Sequence, residues 1–157
     1  MKKRQSLFFI IFLIAILTFA LAGFDFSTPP ENYVKANVLE VQGNTIILGH
    51  NCTALIAQTT PENAFSIILG KRKTIDVRPN AHDVFAQTLK TFNITLESVQ
   101  INYVAEGWFH ADAIFKAKDK VLKLDIKPSD GMALALRLDA PIYINQTLLN
   151  ELGEKIC

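Results

Sequence analysis

The sequence predicts an α+β domain that follows a short apolar N-terminal segment. From residue 33 onward, runs typical of strands alternate with runs typical of helices, and this mixture within one chain is characteristic of α+β folds. Three of the strand-like runs, between residues 95 and 126, are joined by short turns, which indicates an antiparallel meander. The 157 residues suffice for one ordinary domain. We expect a mixed, largely antiparallel curled sheet with three to four helices.

Composition excludes several classes of protein. Half of the residues are hydrophobic and a fifth are charged, so the chain is not disordered. Its 16 basic and 15 acidic side chains lack the broad basic excess of a protein that binds nucleic acid by overall charge. Two cysteines are too few for a disulfide-dense scaffold. Whether Cys52 and Cys157 pair stays open, because Cys157 is the last residue and chain ends often fray.

The N-terminal segment indicates the compartment. A basic cluster at residues 2–4 precedes an uncharged run at residues 7–23, whose 17 residues span about 26 Å as a helix. This run is either an uncleaved single-pass membrane anchor or a signal peptide cleaved after Ala22. In both cases the N-terminus is cytoplasmic and the domain is extracytoplasmic, either membrane-bound or secreted. We assign residues 1–24 to this segment, residues 25–32 to a linker and residues 33–153 to the folded domain.

The first half of the domain predicts three strands and two helices. Strands are expected at residues 33–41, 45–48 and 54–58, with a turn at residues 42–44. Thr60 and Pro61 begin a helix that Gly70 is expected to end. Asn80 begins a second helix whose apolar residues recur at helical spacing, and Asn93 ends it.

The second half predicts the meander and a buried helix. The expected strands are residues 95–104, 108–116, 121–126 and 141–144. Ser129 is expected to cap a third helix, which is apolar almost all round from residue 132 to 138 and therefore central in the fold. A short helix at residues 147–152 ends the domain.

Two polar clusters stand at strand-to-helix turns. The first contains Arg78, Asn80, His82 and Asp83, and the second contains Asp125, Lys127, Ser129 and Asp130, with Arg137 two turns further along. Such groups can bind a phosphate and activate a water, and the carboxylates can hold magnesium or manganese. The alternative is purely structural, because the same residue types cap helices and offset their dipoles. A separate strand pair, His110 and Asp112, is spaced to share one face of a strand.

Four segments resemble motifs of the bifunctional nuclease domain family. Residues 78–84 are similar to the family's Arg-Pro-x-x-His-Asp-Leu motif, and residues 107–111 resemble its Gly-x-Phe-Tyr-Ala strand. Residues 125–137 resemble its Asp-x-Arg-Pro-Ser-Asp-Ala-x-x-Leu-Ala-x-Arg signature, with Lys127 in place of the arginine, and residues 141–144 continue it. The resemblance covers about residues 33–152.

The resemblance implies an α+β fold, frequent dimerisation and nuclease activity on DNA and RNA. We therefore expect a membrane-anchored or secreted phosphodiester hydrolase, assisted by a divalent metal such as magnesium or manganese, that forms a homodimer. Its membrane contact would run through residues 7–23 if the segment is retained. The residues expected to carry the chemistry are His82 as general acid or base; Asp83, Asp125 and Asp130 as proton or metal ligands; and Arg78, Lys127 and Arg137 as phosphate ligands.

The alternative function is a non-catalytic extracytoplasmic binding or assembly domain. Lysine at position 127 keeps the charge but loses the bidentate fork of the family's arginine. Without its basic N-terminal cluster the chain is also slightly acidic. Both features favour this alternative.

Overall fold

The computed structural model describes residues 31–157. The anchor or signal segment predicted at residues 1–24, and nearly all of the linker at 25–32, lie outside the described residues. Between residues 31 and 157, no helix is both long enough and apolar enough to cross a membrane.

Strands and helices alternate along the described chain, as the sequence predicts. The strands are β1 Tyr33–Gln42, β2 Thr45–His50, β3 Thr53–Gln58, β4 Thr95–Ala105, β5 Trp108–Ala117, β6 Lys120–Ile126, β7 Ile142–Asn145 and β8 Glu154–Lys155. The helices are α1 Pro61–Arg72, α2 Ala81–Thr91, α3 Pro128–Leu138 and α4 Gln146–Leu152. The α+β class and the helix number are confirmed for this part of the chain.

The strands form one open, mixed sheet in the order β6-β5-β4-β7-β1-β2-β3-β8. Only the β4–β7 pair is parallel among these neighbours, and the predicted meander β4-β5-β6 is antiparallel throughout. β6 forms one edge of the sheet and the two-residue β8, which the sequence did not predict, forms the other.

The core lies between α3 and one face of the central strands. Helix α3 contacts α1, α2, β4 and β5, and its residues from Gly131 to Ala135 are all buried, as its apolar sequence predicts. At Gly131 the backbone comes so close to β4 that a Cβ atom would lie 2.8 Å from Val99 Cγ1. Ala111 and Ala113 of β5 are likewise fully buried. Small residues therefore let this helix pack directly on the sheet.

Two predicted helix boundaries are wrong. Helix α1 does not end at Gly70 but continues to Arg72, and Lys73 takes the left-handed conformation at its end. Gly70 instead allows close helix packing, because a Cβ there would lie 3.1 Å from the carbonyl oxygen of Ala133 in α3.

Lys127, rather than Ser129, occupies the N-cap position of α3 and makes no side-chain capping bond, since Pro128 takes the first helical position that proline favours. Ser129 is buried, and its Oγ accepts a hydrogen bond from Asn63 Nδ2 at 3.0 Å.

The structure joins Cys52 and Cys157 in a disulfide. Strand β8 pairs with the beginning of β3, and the backbone N–H of Ile156 donates to the carbonyl of Cys52. This pairing holds the chain end beside Cys52, with 5.2 Å between the two cysteine Cα atoms. Residues 154–157 are thus held against the beginning of β3 by strand pairing and by the disulfide.

Candidate active site

The two predicted polar clusters meet where the first turn of α2 packs against α3. The Arg137 Nε atom lies 2.6 Å from Asp83 Oδ1, and His82 Nε2 lies 3.4 Å from Asp130 Oδ1. The α2–α3 packing therefore brings together residues more than 45 positions apart in the sequence. The contact between Asp83 and Arg137 is buried, whereas the contact between His82 and Asp130 is partly exposed to solvent.

The buried contact is the ion pair of Asp83 and Arg137, whose side chains are only 5% and 7% exposed. The second oxygen of Asp83 accepts a hydrogen bond from the backbone N–H of Asn80, which completes a capping box at the start of α2. Arg137 Nη1 donates to the carbonyls of Ser66 and Ala133. The guanidinium predicted to hold phosphate is therefore engaged in joining α1, α2 and α3.

The ion pair fixes the charge of Asp83. Burial alone raises the pKa of a carboxyl group, but here the hydrogen bond from Arg137, the backbone N–H of Asn80 and the nearby positive charge outweigh it. The pKa of Asp83 is consequently held below its ordinary value. Asp83 is therefore a carboxylate at neutral pH with both oxygens bound, which suits a structural role.

The open contact is a hydrogen-bonded chain through His82. Asn80 Nδ2 donates to Ser66 Oγ at 3.2 Å, and Ser66 Oγ lies 2.9 Å from His82 Nδ1. Ser66 Oγ thus faces one ring nitrogen of His82, while the carboxylate of Asp130 faces the other. The side chains of His82 and Asp130 are 18% and 34% exposed. A substrate can reach this pair, which has the fixed orientation that acid–base chemistry needs.

The start of α3 presents free backbone donors beside this pair. No side chain of residues 31–157 caps α3, and Pro128 at its first position has no N–H. The amides of Ser129 and Asp130, which follow Pro128, have no acceptor within the helix and lie at the positive end of its dipole. Lys127 and Arg78, both exposed, stand at the turns that lead into α3 and α2. This arrangement favours an anion such as a phosphate.

A protein-family model and two curated proteins match this chain. The model of the bifunctional nuclease domain matches residues 52–156, which is more than half of the chain. The chain belongs to the bifunctional nuclease domain family. The expectation from the four sequence motifs is thereby confirmed. Two uncharacterized proteins of Mycobacterium tuberculosis, MT1877 and Rv1829, are each 34% identical to it over 90 residues, which cover 57% of this chain and 53% of each relative. The chain thus spans about half the length of these curated relatives.

One predicted site residue of this bifunctional nuclease domain lies elsewhere. Ile126 packs against the core, so the preceding residue, Asp125, points to the opposite face of the sheet. There Asp125 is the cross-strand partner of Asp112 and lines a cavity with His110. The structure therefore does not place Asp125 with His82, and it groups Asp125 with the predicted His110 and Asp112 pair.

The residues at the α2–α3 junction do not form a preformed metal cage. Asp83 is bound by Arg137 and Asn80, which leaves Asp130 as the carboxylate beside His82. Within the described part of the bifunctional nuclease domain, no group of three or more His, Cys, Asp or Glu side chains is placed to hold a metal ion. The steps proposed below run through protein side chains and backbone groups alone.

Two residues of the site were not predicted from the sequence. Ser66 contacts His82 from α1, and Asn63 contacts Ser129 one turn earlier in the same helix. The sequence signal for Ser66 is a serine among the apolar residues of a predicted helix. The structure buries Ser66 together with Ala64 and Ile67. A polar side chain in that position needs a buried partner.

Proposed function

We propose that this domain hydrolyses phosphodiester bonds of DNA or RNA at the His82–Asp130 pair. The observation that carries the proposal is that this pair is accessible to solvent and lies at the N-terminus of α3, which has no side-chain cap. Ser66 contacts the other ring nitrogen of His82 and accepts a hydrogen bond from Asn80, so the imidazole is held in place. Membership of the bifunctional nuclease domain family supports the reaction class. The bonds that hold His82 are the kind of preorganisation that general acid–base catalysis requires.

Phosphate binding is assigned to the backbone and to two exposed cations. In the proposed complex, the amides of Ser129 and Asp130 donate to non-bridging phosphate oxygens, and Arg78 and Lys127 neutralise the neighbouring phosphates. Helix N-termini bind anions in this way without requiring a buried cation. Arg137 has no part in this proposal, because its guanidinium is buried and bonded to Asp83 and to the carbonyls of Ser66 and Ala133.

Proton transfer is assigned to both members of the pair. The Asp130 carboxylate accepts a proton from the attacking water, and the His82 imidazolium donates a proton to the leaving oxygen as its bond to phosphorus breaks. Asp130 then returns its proton to His82 across their 3.4 Å contact, which restores the starting state. General acid–base assistance of this kind accelerates reactions by about 10²–10⁴-fold.

The compartment is part of the proposal. We propose that residues 7–23 anchor the protein in a membrane, or direct its secretion if cleaved after Ala22, with the domain on the extracytoplasmic side. The Cys52–Cys157 disulfide supports this location, because such bonds persist in oxidising compartments. Protease treatment of intact cells tests it, since an extracytoplasmic domain is digested without lysis and a cytoplasmic one is protected.

The test of the reaction uses the full chain with fluorescently labelled single-stranded DNA and RNA, with magnesium, manganese or EDTA. We expect cleavage by the wild type and a loss of about 100-fold or more in H82Q and in D130N. H50Q is the matched control, because His50 is a histidine at the end of β2 outside the site. Circular dichroism melting confirms that each variant is folded.

Two outcomes would contradict the proposal at different levels. Undiminished cleavage by folded H82Q and D130N would overturn the residue assignment. Absence of cleavage by folded wild type under every metal condition would overturn the reaction and leave the non-catalytic binding or assembly domain as the function.

A further inference from the structure

A second polar site lies on the face of the sheet away from α3. Ala111 and Ala113 point into the core, so His110 and Asp112 of β5 point to the opposite face. There they line a cavity of about 510 Å³ together with Asp125 of β6 and Asn102 of β4. None of the steps proposed for hydrolysis uses this cavity.

Its floor is fixed by hydrogen bonds. The Tyr33 hydroxyl donates to Asn102 Oδ1 at 2.8 Å, and Asn102 Nδ2 donates to Asp112 Oδ2 at 2.6 Å. Lys123 Nζ lies 2.8 Å from the same Asp112 oxygen. This hydrogen bond with Asp112 holds the pKa of Lys123 above its usual value despite partial burial, so the lysine stays cationic and neutralises Asp112.

Asp125, the second carboxylate of this cavity, has no positively charged partner among residues 31–157. It sits directly opposite Asp112 in the β5–β6 ladder, where like charges destabilise each other. Among residues 31–157 it forms no ion pair, and its side chain is exposed. Asp125 therefore offers two oxygens that accept hydrogen bonds from a ligand with adjacent N–H donors.

One wall of the cavity is aromatic. The rings of Tyr103 and His110 stack with 4.7 Å between centroids and 14° between planes. Tyr103 is 53% exposed, and Trp108 lies two residues before His110 on the same face of β5. Exposed flat rings beside a polar floor are the features that bind a planar heterocyclic base by stacking.

We propose that this cavity binds a guanine base of a single-stranded nucleic acid. The base stacks on the Tyr103–His110 pair, and its adjacent N1–H and N2–H groups donate to the Asp125 carboxylate in a bidentate contact. Adenine and cytosine each present a single exocyclic amino group, and uracil a single N–H, so they cannot make both bonds. The proposal rests on the proposed function, which makes nucleic acid the substrate, and adds base selection on the opposite face of the sheet.

The test measures binding separately from hydrolysis. The fluorescence of Trp108, the one tryptophan of the chain, is followed while GMP, AMP, CMP, UMP or inorganic phosphate is added to the full chain. We expect GMP to bind at least about tenfold more tightly than the other nucleotides, which is the range for one bidentate base contact. D125N should lose this preference and Y103A should weaken binding of all four nucleotides. D119N, a carboxylate change in the β5–β6 turn, should change neither.

The outcomes separate this inference from the proposed function. Equal binding of the four nucleotides, binding matched by phosphate alone, or an unaltered preference in D125N overturns base selection even if the protein cleaves nucleic acid. GMP binding retained in H82Q supports the cavity as a separate site. GMP selection in a wild type that cleaves nothing supports the cavity while contradicting the hydrolase.

Discussion

Asp83 and Arg137 form a buried ion pair, and we expect it to contribute to the stability of the fold. Removing one partner of such a pair leaves the other charge buried and uncompensated, which costs about 3–5 kcal/mol. Asp83→Asn should therefore lower the free energy of unfolding by about that amount at pH 7, measured by urea titration. Asp139→Asn is the matched control, because Asp139 pairs with Lys73 at the surface and its loss should be far smaller. Equal losses in the two variants would contradict this.

The same carboxylate gives stability a pH dependence of defined sign. The pKa of Asp83 is lower in the folded state than in the unfolded chain, so its contribution is present above the unfolded value of about 3.9. It is lost as the pH falls through the folded pKa. The acid limb of the stability profile should accordingly be flatter in Asp83→Asn than in the wild type.

At the residue scale, sequence reasoning found most of the α2–α3 site. His82 and Asp83 lie in the first turn of α2, whose capping by Asn80 is local and follows from the sequence. Asp130 and Arg137 reach them only through the packing of α3 against α2. Its closeness in the sequence to Asp130 predicts that Asp125 belongs to the same site. Successive strand residues point to opposite faces of the sheet, however, and Ile126 takes the face toward the core, so Asp125 takes the other. Ser66 depends on the packing of α1 against α3, which no local pattern specifies.

At the element scale, the Cys52–Cys157 disulfide holds the C-terminal strand to β3. The two cysteines are 105 positions apart, and closing a loop of about 100 residues stabilises by up to about 4.7 kcal/mol in the chain-entropy model. Cys157→Ser should lower the free energy of unfolding by about 2–5 kcal/mol. A thiol reductant should bring the wild type to the value of the variant and leave the variant unchanged. No effect of the reductant on the wild type would show that the bond does not stabilise the fold.

Element boundaries show where local signals suffice. The start of α2 was predicted because Asn80 satisfies the first amides of its own helix. The end of α1 is not predicted correctly, because glycine ordinarily ends helices. Gly70 instead lies inside α1, where it allows close contact with α3. The sequence alone does not decide whether Cys52 and Cys157 form a disulfide. The pairing of β8 with β3, which brings them together, joins distant parts of the chain.

At the scale of the whole molecule, the two edges of the sheet differ. The β3 edge is closed by β8 and the disulfide, whereas β6 has no further strand beside it in residues 31–157. Leu122 and Leu124 of β6 are 53% and 43% exposed, and they share a face with Phe115, which is the cross-strand partner of Leu122. Phe85 of α2 extends this face, with its ring 6.0 Å from that of Phe115. An open edge with an apolar face is well suited to pairing with a second chain.

We propose that the expected homodimer forms through β6, because antiparallel pairing of one edge strand with its own copy is isologous and closes the assembly. Asp125 lies on the other face of β6, so the cavities of the two copies would come side by side. Light scattering of the full chain, with detergent mass subtracted, should give twice the 17.5 kDa chain mass. The double variant Leu122→Glu/Leu124→Glu should give the monomer mass, whereas Ile56→Glu, at an exposed position of β3, should leave the dimer intact. A monomeric wild type, or a dimer that survives the β6 variant, would overturn this interface.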